Sequence, residues 1–564
     1  MALTYPAVYP GRNLESDEDL FRRLEQLNEI GAALSQEKDI DRLLEKILLA
    51  AKAITRAAGG TLYMLEASDE GPRLRFAIMR NESMGIAMGG TTGNPIPFYP
   101  VHLRGKDGTP NTQMVVSYAA LTGKTVNIAD AYTEEGFDFS GTRNFDKKTG
   151  YRSKAFLTVP MKDHQAEIIG VLQLINSIDP VTSEVGPFSH SDQRLAESLA
   201  SQAAIALTNR QLIIQLEVLF KSLIKLINKA IDEKSEYTGG HCKRVPELTM
   251  MLAEAVNETS EGPLRDFSMS DKDRYELEIA GLLHDCGKVT TPVHVVDKAT
   301  KLETIFDRIN LVDTRFEVLK RDLEIGALQR KIEVLRQPGL DKATASERLA
   351  QIDREAGDGV RQIESDREFL RHCNVGGEAM SLDAQERENR IGTGHKWADV
   401  SGVTADFLNQ EEIRNLTIAR GTLTAEERKT INHHIVATIE MLKALPWPKH
   451  LENVPEYAGG HHERMDGKGY PLGLKREEMS VQARVMGIAD IFEALTAKDR
   501  PYKPGKTLSE SLRILGNFKQ NGHIDPDLFD IFVRKKVYLR YAEKFLDPDQ
   551  IDAVDESKIP GFVP

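Results

Sequence analysis

His461-His462-Glu463-Arg464-Met465-Asp466-Gly467-Lys468-Gly469-Tyr470-Pro471 sets two adjacent imidazoles and two carboxylates before a glycine-punctuated turn. Gly467 and Gly469 are read as serving that turn rather than cradling a phosphate. Working outward, four more segments carry side chains of the same chemistry. His241-Cys242-Lys243-Arg244-Val245 opens a helix after a Gly-Gly break. Ala280-Gly281-Leu282-Leu283-His284-Asp285-Cys286-Gly287-Lys288 holds an adjacent His-Asp pair. Leu423-Thr424-Ala425-Glu426-Glu427 leads to His433-His434, and Arg484-Val485-Met486-Gly487-Ile488-Ala489-Asp490 ends on an aspartate. Of the 14 histidines, ten fall between Gly239 and Gly473. Imidazole with carboxylate suits Fe, Mn, Zn or Ni. Neighbours on a helix differ by about 100° in direction, so an adjacent His and Asp can serve two ions, the carboxylate bridging them. Two ions about 3.5–4 Å apart suit attack on a phosphodiester. The cysteines Cys242, Cys286 and Cys373 have no ligand spacing and form no disulfide framework, which fits a reducing, cytoplasmic setting.

These five segments, in this order, resemble the HD-GYP branch of the HD phosphohydrolase superfamily over about residues 240–545. The resemblance implies an all-α catalytic domain hydrolysing cyclic di-GMP to the linear dinucleotide or on to GMP. It implies metal ligands at His241, His284, Asp285, His434, His461, His462 and Asp490, with Asp285 bridging. His434 has the better register of its pair, with Ile431 three before it and Met441-Leu442 after it; His433 is then structural. Lys288 matches the family's phosphate-contacting lysine, so Asp285 and Lys288 are the expected catalytic pair. Tyr470, Arg500 and Lys503 are expected to contact substrate, although the Asp490–Arg500 spacing is one residue longer than the family's usual one. Glu463 and Asp466 are read as carboxylates that orient imidazoles from behind, or as loop stabilisers; Arg244 is read as structural. The cofactor expected is a dinuclear Fe or Mn centre, with Ni or Zn as alternatives. A third metal is not expected, because Tyr237 stands where some relatives place a glutamate. The alternatives are another cyclic or nucleotide substrate, or a non-catalytic cyclic di-GMP sensor or docking protein.

Before these segments the pattern changes. Leu20, Leu24, Leu27 and Ile30, then Leu43, Leu44, Ile47 and Leu48, recur at helical spacing. Strand-like runs follow at 60–65, 74–78, 156–160 and 168–174. Asn127-Ile128-Ala129-Asp130-Ala131-Tyr132, Thr149-Gly150-Tyr151-Arg152-Ser153 and Ile168-Ile169-Gly170-Val171-Leu172-Gln173 resemble a GAF domain of the kind found in cyclic-nucleotide phosphodiesterases. The nucleotide-binding signature of that family, Asn-Lys…Phe-x-x-x-Asp-Glu, here reads Asn176-Ser177…Phe188-x-x-x-Asp192-Gln193. A small-molecule ligand and a GAF fold used only for dimerisation both remain open.

Asn209, Leu216, Leu223 and Ala230 fall seven apart, with Leu212, Leu219 and Leu226 three beyond the first three. That is an a/d seam, and an Asn at one a position favours two strands. The expected architecture is therefore a leader (1–18), an α+β GAF-like sensor domain (19–204) and a coiled-coil signalling helix (205–238). An all-α HD-GYP domain (239–545) and a tail (546–564) follow. An insertion at about 298–420 carries a helical hairpin, read as a spacer or dimer arm or as a lid. A homodimer through the signalling helix is expected. The net charge of −13 argues against a DNA-binding role. No membrane role is expected: the N-terminus lacks signal-peptide character, and no apolar run is judged to approach the roughly 20 residues of a span.

Overall fold

The computed structural model describes residues 17–234, 240–377, 379–398, 402–498 and 505–564. Two compact units divide at Phe220/Lys221.

In the first unit, α1 (Asp17–Gln36) and α2 (Ile40–Thr55) lead into the strands β1 (Ala57–Glu66), β2 (Arg73–Asn81), β3 (Ile86–Gly89) and β4 (Val101–His102). Then come α3 (Val115–Thr122), β5 (Val126–Ile128), α4 (Ser140–Thr149), β6 (Phe156–Lys162), β7 (Ile168–Ile178) and β8 (Val185–Gly186). The sheet order is β3-β2-β1-β7-β6-β5, with β4 on β2 and β8 on β7, and every pairing is antiparallel. Successive strand residues face opposite sides. Leu62, Leu172 and Leu174 join Leu43, Ile47 and Leu48 of α2 in one core. Leu195, Leu199, Ala203 and Leu207 of α5 (His190–Lys234) complete it. Arg23 pins this layer, donating to the Ile54 carbonyl at 2.8 Å and pairing with Asp192. Asn176 sits at φ +58°, a region Asn tolerates. Its Oδ1 accepts from the amides of Lys154 and Ala155 at 2.8 and 3.0 Å. The two signature-like residues Asn176 and Asp192 are thus committed to holding the fold.

Along α5, the heptad leucines Leu212, Leu216, Leu219, Leu223 and Leu226 are all exposed, while Ile224 and Ile231 on another face are buried. Among the described residues, α5 alone is long and apolar enough, by length and composition, to cross a membrane. No apolar run of that length is expected from the sequence alone.

The second unit opens with α6 (His241–Asn257), α7 (Asp271–Leu283) and a short α8 (Val293–Val296). Its insertion contains α9 (Ile309–Arg336), α10 (Lys342–Asn374), α11 (Leu382–Gly394), the ribbon β9 (Lys396–Ala398)/β10 (Thr404–Asp406) and α12 (Gln410–Leu416). The helices α13 (Ala425–Lys443), α14 (Val454–Gly459), α15 (Val481–Thr496), α16 (Leu508–Gln520), α17 (Pro526–Arg534) and α18 (Val537–Phe545) follow. Four of them begin with side-chain caps that the sequence displays: Thr424 with Glu427, Ser480, Thr507 and Asp525. Buried Leu248 and Leu252 of α6, Ile435 of α13, and Val485, Met486, Ile488 and Phe492 of α15 fill the middle of the helical array. The insertion is more than a solvated hairpin. Its base has its own core, in which Val312, Phe316, Ile363 and Leu370 meet Ile391, Phe407, Leu408 and Leu416. Arg315 seals this core with two bonds to Glu412 at 2.8 and 2.9 Å.

Candidate metal centre

Five segments far apart in sequence deliver their polar side chains to one buried point. His241 is the first residue of α6, His284 caps the end of α7, and His434 lies mid-α13. Asp490 lies mid-α15, and His461-His462 follow α14. Helices can bring these groups together because each carries one of them on the face turned to the shared core. Close approach of the Asp285 turn to α13 needs Gly287: a Cβ there would stand 2.0 Å from the His434 carbonyl oxygen. The Gly287 amide instead donates to Thr438 Oγ1 at 2.9 Å.

The histidine tautomers follow from their outer contacts. His284 Nδ1 faces the Gly281 carbonyl at 2.7 Å, and His461 Nδ1 faces the Ala458 carbonyl at 2.6 Å. His434 Nδ1 faces the Ile431 carbonyl. A carbonyl only accepts, so each Nδ1 carries the proton and each Nε2 turns a lone pair inward. His241 is set the same way by a carboxylate: its Nδ1 donates to Glu493 Oε2 at 2.5 Å. Glu493 is itself held by Arg244, whose Nε and Nη2 lie 2.7 and 2.6 Å from Oε1.

The inward atoms form two groups, His241/His284/Asp285 and His434/His461/His462, each with its ligand atoms within 4.8 Å of one another. Asp285 faces both. Its Oδ2 lies 3.0 Å from His241 Nε2 and 3.2 Å from His284 Nε2, and its Oδ1 lies 3.3 Å from His434 Nε2. Asp490 also reaches to both sides, with Oδ1 3.2 Å from His241 Nε2 and Oδ2 3.9 Å from His462 Nδ1. The Nε2 atoms of His241 and His284 approach to 3.3 Å, as do those of His434 and His462. Nitrogens facing each other at that distance need a proton or a metal ion between them. His461 Nε2 is buried with no hydrogen-bond partner. The residues therefore fit divalent metal ions.

The electrostatics agree with that fit at Asp285, Asp490, His461 and His462. At His241 burial is outweighed by Glu493, Asp285 and Asp490, which raise the imidazole well above its ordinary value, so that ring must give up a proton to ligate. Burial pushes the Asp285 carboxyl up, but Lys288 and the histidines hold it well below the usual carboxylate range. Asp490 is held low against its burial in the same way, chiefly by His241. Burial lowers His461 far below the ordinary imidazole value and His462 to about 4. Ionised carboxylates and neutral imidazoles are the forms that ligate metal.

Around the centre, Lys288 Nζ lies 2.6 Å from Asp285 Oδ2. The Tyr470 ring stacks on His462, centroids 4.9 Å apart. His433 is exposed and His434 buried, so the centre receives the second of the pair. Arg500 and Lys503 lie outside the described residues, as does Tyr237. Of the two readings of Glu463 and Asp466, orienting imidazoles or stabilising a loop, the contacts are those of the second. Glu463 accepts from the amides of Leu472, Gly473 and Leu474 at 2.7, 3.1 and 2.9 Å, which ties down the loop after Tyr470. Asp466 pairs with Arg464 at 2.8 Å and accepts from the Lys468 amide. Both are drawn off by closer backbone and guanidinium donors. The carboxylate behind an imidazole is Glu493, three residues after Asp490 on the same face of α15. Arg244, three residues after His241, supports it. The i, i+3 spacing from each metal-type residue was the available signal.

Comparison with known proteins agrees with this geometry. A GAF domain family matches residues 39–207, and two HD domain families match 238–354 and 411–528. The chain thus matches a GAF domain followed by HD domain sequence. A cyclic di-GMP phosphodiesterase of Pseudomonas aeruginosa is 46% identical over 74 residues, which are 13% of this chain and 17% of that one. A 3′3′-cGAMP-specific phosphodiesterase of Vibrio cholerae is 43% identical over 81 residues, 14% and 19% of the two chains. The matched stretches thus cover less than a fifth of either relative. The GAF domain of an Acinetobacter phosphoenolpyruvate-protein phosphotransferase aligns at 13% identity and a TM-score of 0.24, covering 34% of this chain and 96% of that one. Within the 461–471 motif, Gly469 has a steric role. A Cβ there would meet the Arg464 amide nitrogen at 2.4 Å, so the turn closes over the Glu463 backbone only with glycine.

Proposed function

We propose that the chain is a metal-dependent phosphodiesterase hydrolysing cyclic di-GMP, regulated by its GAF domain. The observation that carries the proposal is Asp285, a buried carboxylate with one oxygen toward each three-residue group. His241, His284, Asp285, His434, His461, His462 and Asp490 would hold two ions, Fe or Mn by preference and Ni or Zn as alternatives, with Asp285 shared. Bound there, divalent ions would supply Lewis-acid polarisation of a phosphodiester and of its attacking water. The chain's own residues do the rest. The carbonyls of Gly281, Ile431 and Ala458 and the Glu493 carboxylate keep the imidazole lone pairs aimed inward. The Lys288 ammonium stands beside Asp285, placed to stabilise charge on the non-bridging phosphate oxygens. Tyr470, stacked on His462, offers a flat face to a guanine. Arg500 and Lys503 are candidates to grip phosphate or base. Water would add across one P–O3′ ester: its oxygen joins phosphorus, and a proton passes to the departing 3′ oxygen. The product is the linear dinucleotide, with a second cycle giving GMP.

A second reading keeps the reaction and changes the substrate, because one of the two relatives named above acts on 3′3′-cGAMP. We also infer that α5 pairs with its copy in a parallel coiled coil, because its a/d leucines are exposed. A small-molecule ligand of the GAF domain would then act through that helix. Three buried, free cysteines support a reducing cellular setting.

The test is turnover of cyclic di-GMP and 3′3′-cGAMP by the full chain loaded with Fe, Mn or Ni, with Asp285→Ala as control. Hydrolysis of cyclic di-GMP that is lost in the variant supports the proposal. Metal-loaded protein that binds cyclic di-GMP without cleaving any cyclic dinucleotide would make it a sensor.

A further inference from the structure

Across the sheet from α2 and α5, two smaller core clusters cover the opposite face. One centres on Tyr63, Val116 and Val171, the other on Val115, Phe139 and Phe156. Between them the face is left open as a cavity of about 220 Å³. Thr61, Phe76 and Gln173 lie in its floor, and Phe98, Gly141 and Phe145 bound it above. The aromatic rings run as a ladder from floor to rim. Tyr63 and Phe76 are 4.7 Å apart, Phe76 and Phe98 5.5 Å, and Phe98 and Phe145 6.4 Å. Such a wall favours a flat ring system.

The charge of the cavity is decisive. Its lining includes no acid, and Arg80 is the only cation in it. That guanidinium is spent: it pairs with Glu45 and donates to the carbonyls of Met79, Met88 and Gly89. A phosphate drawn down to the Thr61 and Gln173 floor would lose its water and gain no counter-ion, which costs several kcal/mol or more. The hydrogen-bonding groups are also mostly used. Gln173 accepts from Tyr63 and donates to Thr158, and Ser153 donates to Asp146. What is left over is Asn81 Nδ2, a donor on a residue only 5% exposed, with no partner. A buried donor without an acceptor costs about 1–3 kcal/mol, which a ligand acceptor would recover. The volume is below the roughly 300 Å³ at which pockets for drug-sized ligands begin.

We propose that this cavity takes a small, flat, electrically neutral heteroaromatic molecule with a hydrogen-bond acceptor on its edge, and that it refuses cyclic nucleotides. This rests on the GAF ligand reading above and is independent of whether the HD domain cleaves cyclic di-GMP. It also separates the regulator from the substrate, since a charged dinucleotide neither fits the volume nor finds a cation.

The test uses calorimetric titration of the full chain at pH 7.5 with quinoline, quinoline-2-carboxylate and cyclic GMP. Quinoline and its carboxylate share one ring system and differ in charge. Quinoline should bind at least about tenfold more tightly than either anion, since one desolvated, unpaired charge costs more than a factor of ten in affinity. Gly141→Phe supplies the control. Its added Cβ meets nothing within 4 Å, so the ring can enter the cavity mouth without displacing the backbone. That variant should melt like the parent and lose quinoline binding. Cyclic GMP binding as tightly as quinoline would overturn the proposal. So would quinoline binding that survives Gly141→Phe, or no binding of quinoline at millimolar concentration. None of these outcomes depends on hydrolysis, so failure here is distinguishable from failure of the phosphodiesterase reading.

Discussion

Replacing Glu493 by Gln removes one negative charge from behind His241 and leaves the side-chain shape almost unchanged. Glu493 is 1% exposed and takes three charge-assisted hydrogen bonds, one from His241 Nδ1 and two from Arg244. An amide can accept from only one of these two neighbours, and its NH2 faces the other donor. Loss of a charge-assisted bond costs about 1.5–3 kcal/mol. Loss of a carboxylate behind a ligating imidazole typically weakens metal binding by roughly 10–100-fold. The two figures agree, since a factor of ten is about 1.4 kcal/mol. The assay is competitive Mn titration against a chelator, with bound metal counted by elemental analysis and folding checked by circular dichroism. Glu463→Gln is the comparison, because Glu463 holds loop amides and touches no imidazole. Folded Glu493→Gln with parental Mn affinity would refute the assignment of Glu493 to His241. An equal loss in Glu463→Gln would show that general loosening of the site, rather than the imidazole contact, sets affinity.

Further expectations follow from other contacts. Gly287→Ala places a methyl 2.0 Å from the His434 carbonyl oxygen. It should destabilise the HD domain by at least about 1–3 kcal/mol and reduce bound metal; unchanged melting and metal content would refute the close approach. Glu388 is fully buried in the insertion. Neither oxygen meets a regular hydrogen-bond donor, and burial raises its carboxyl to about 7. The folded chain then holds a proton that the unfolded chain has lost between about pH 4.5 and 7. Stability from this group is complete below pH 4.5 and disappears as pH rises through 7. Glu388→Gln should therefore stabilise the chain at pH 8, by at most roughly 3 kcal/mol, with little effect at pH 4.5. Melting temperatures at the two pH values check this, and an equal shift at both would contradict it. Leu219→Glu with Leu226→Glu places charges on exposed heptad positions of α5. Sedimentation should then show a dimeric parent and a monomeric variant; an unchanged mass would exclude the seam.

The amino-acid sequence by itself determined which side chains belong to the HD-GYP pattern and in what order. Histidines and aspartates at five motif positions are local facts, and helical periodicity with N-terminal caps at Thr424 and Ser480 makes their backbones legible. The strand-like runs at 60–65, 74–78 and 168–174 likewise mark β1, β2 and β7 before any partner is known. What the sequence left open is what depends on distance between segments. That Glu493 and not Glu463 backs an imidazole was decided only when α15 packed against α6, because helical spacing puts Glu493 on the Asp490 face without saying which imidazole it meets. The insertion's basal core was hidden for the same reason: Phe316 and Phe407 are 91 residues apart in number yet 4.4 Å apart as rings. The uncharged GAF cavity also appears only in three dimensions. Arg80 is a cation in the sequence, and it is the fold that spends its charge on Glu45. Covalent order sets which groups exist and their local backbone habit; packing sets which charges remain to meet a ligand.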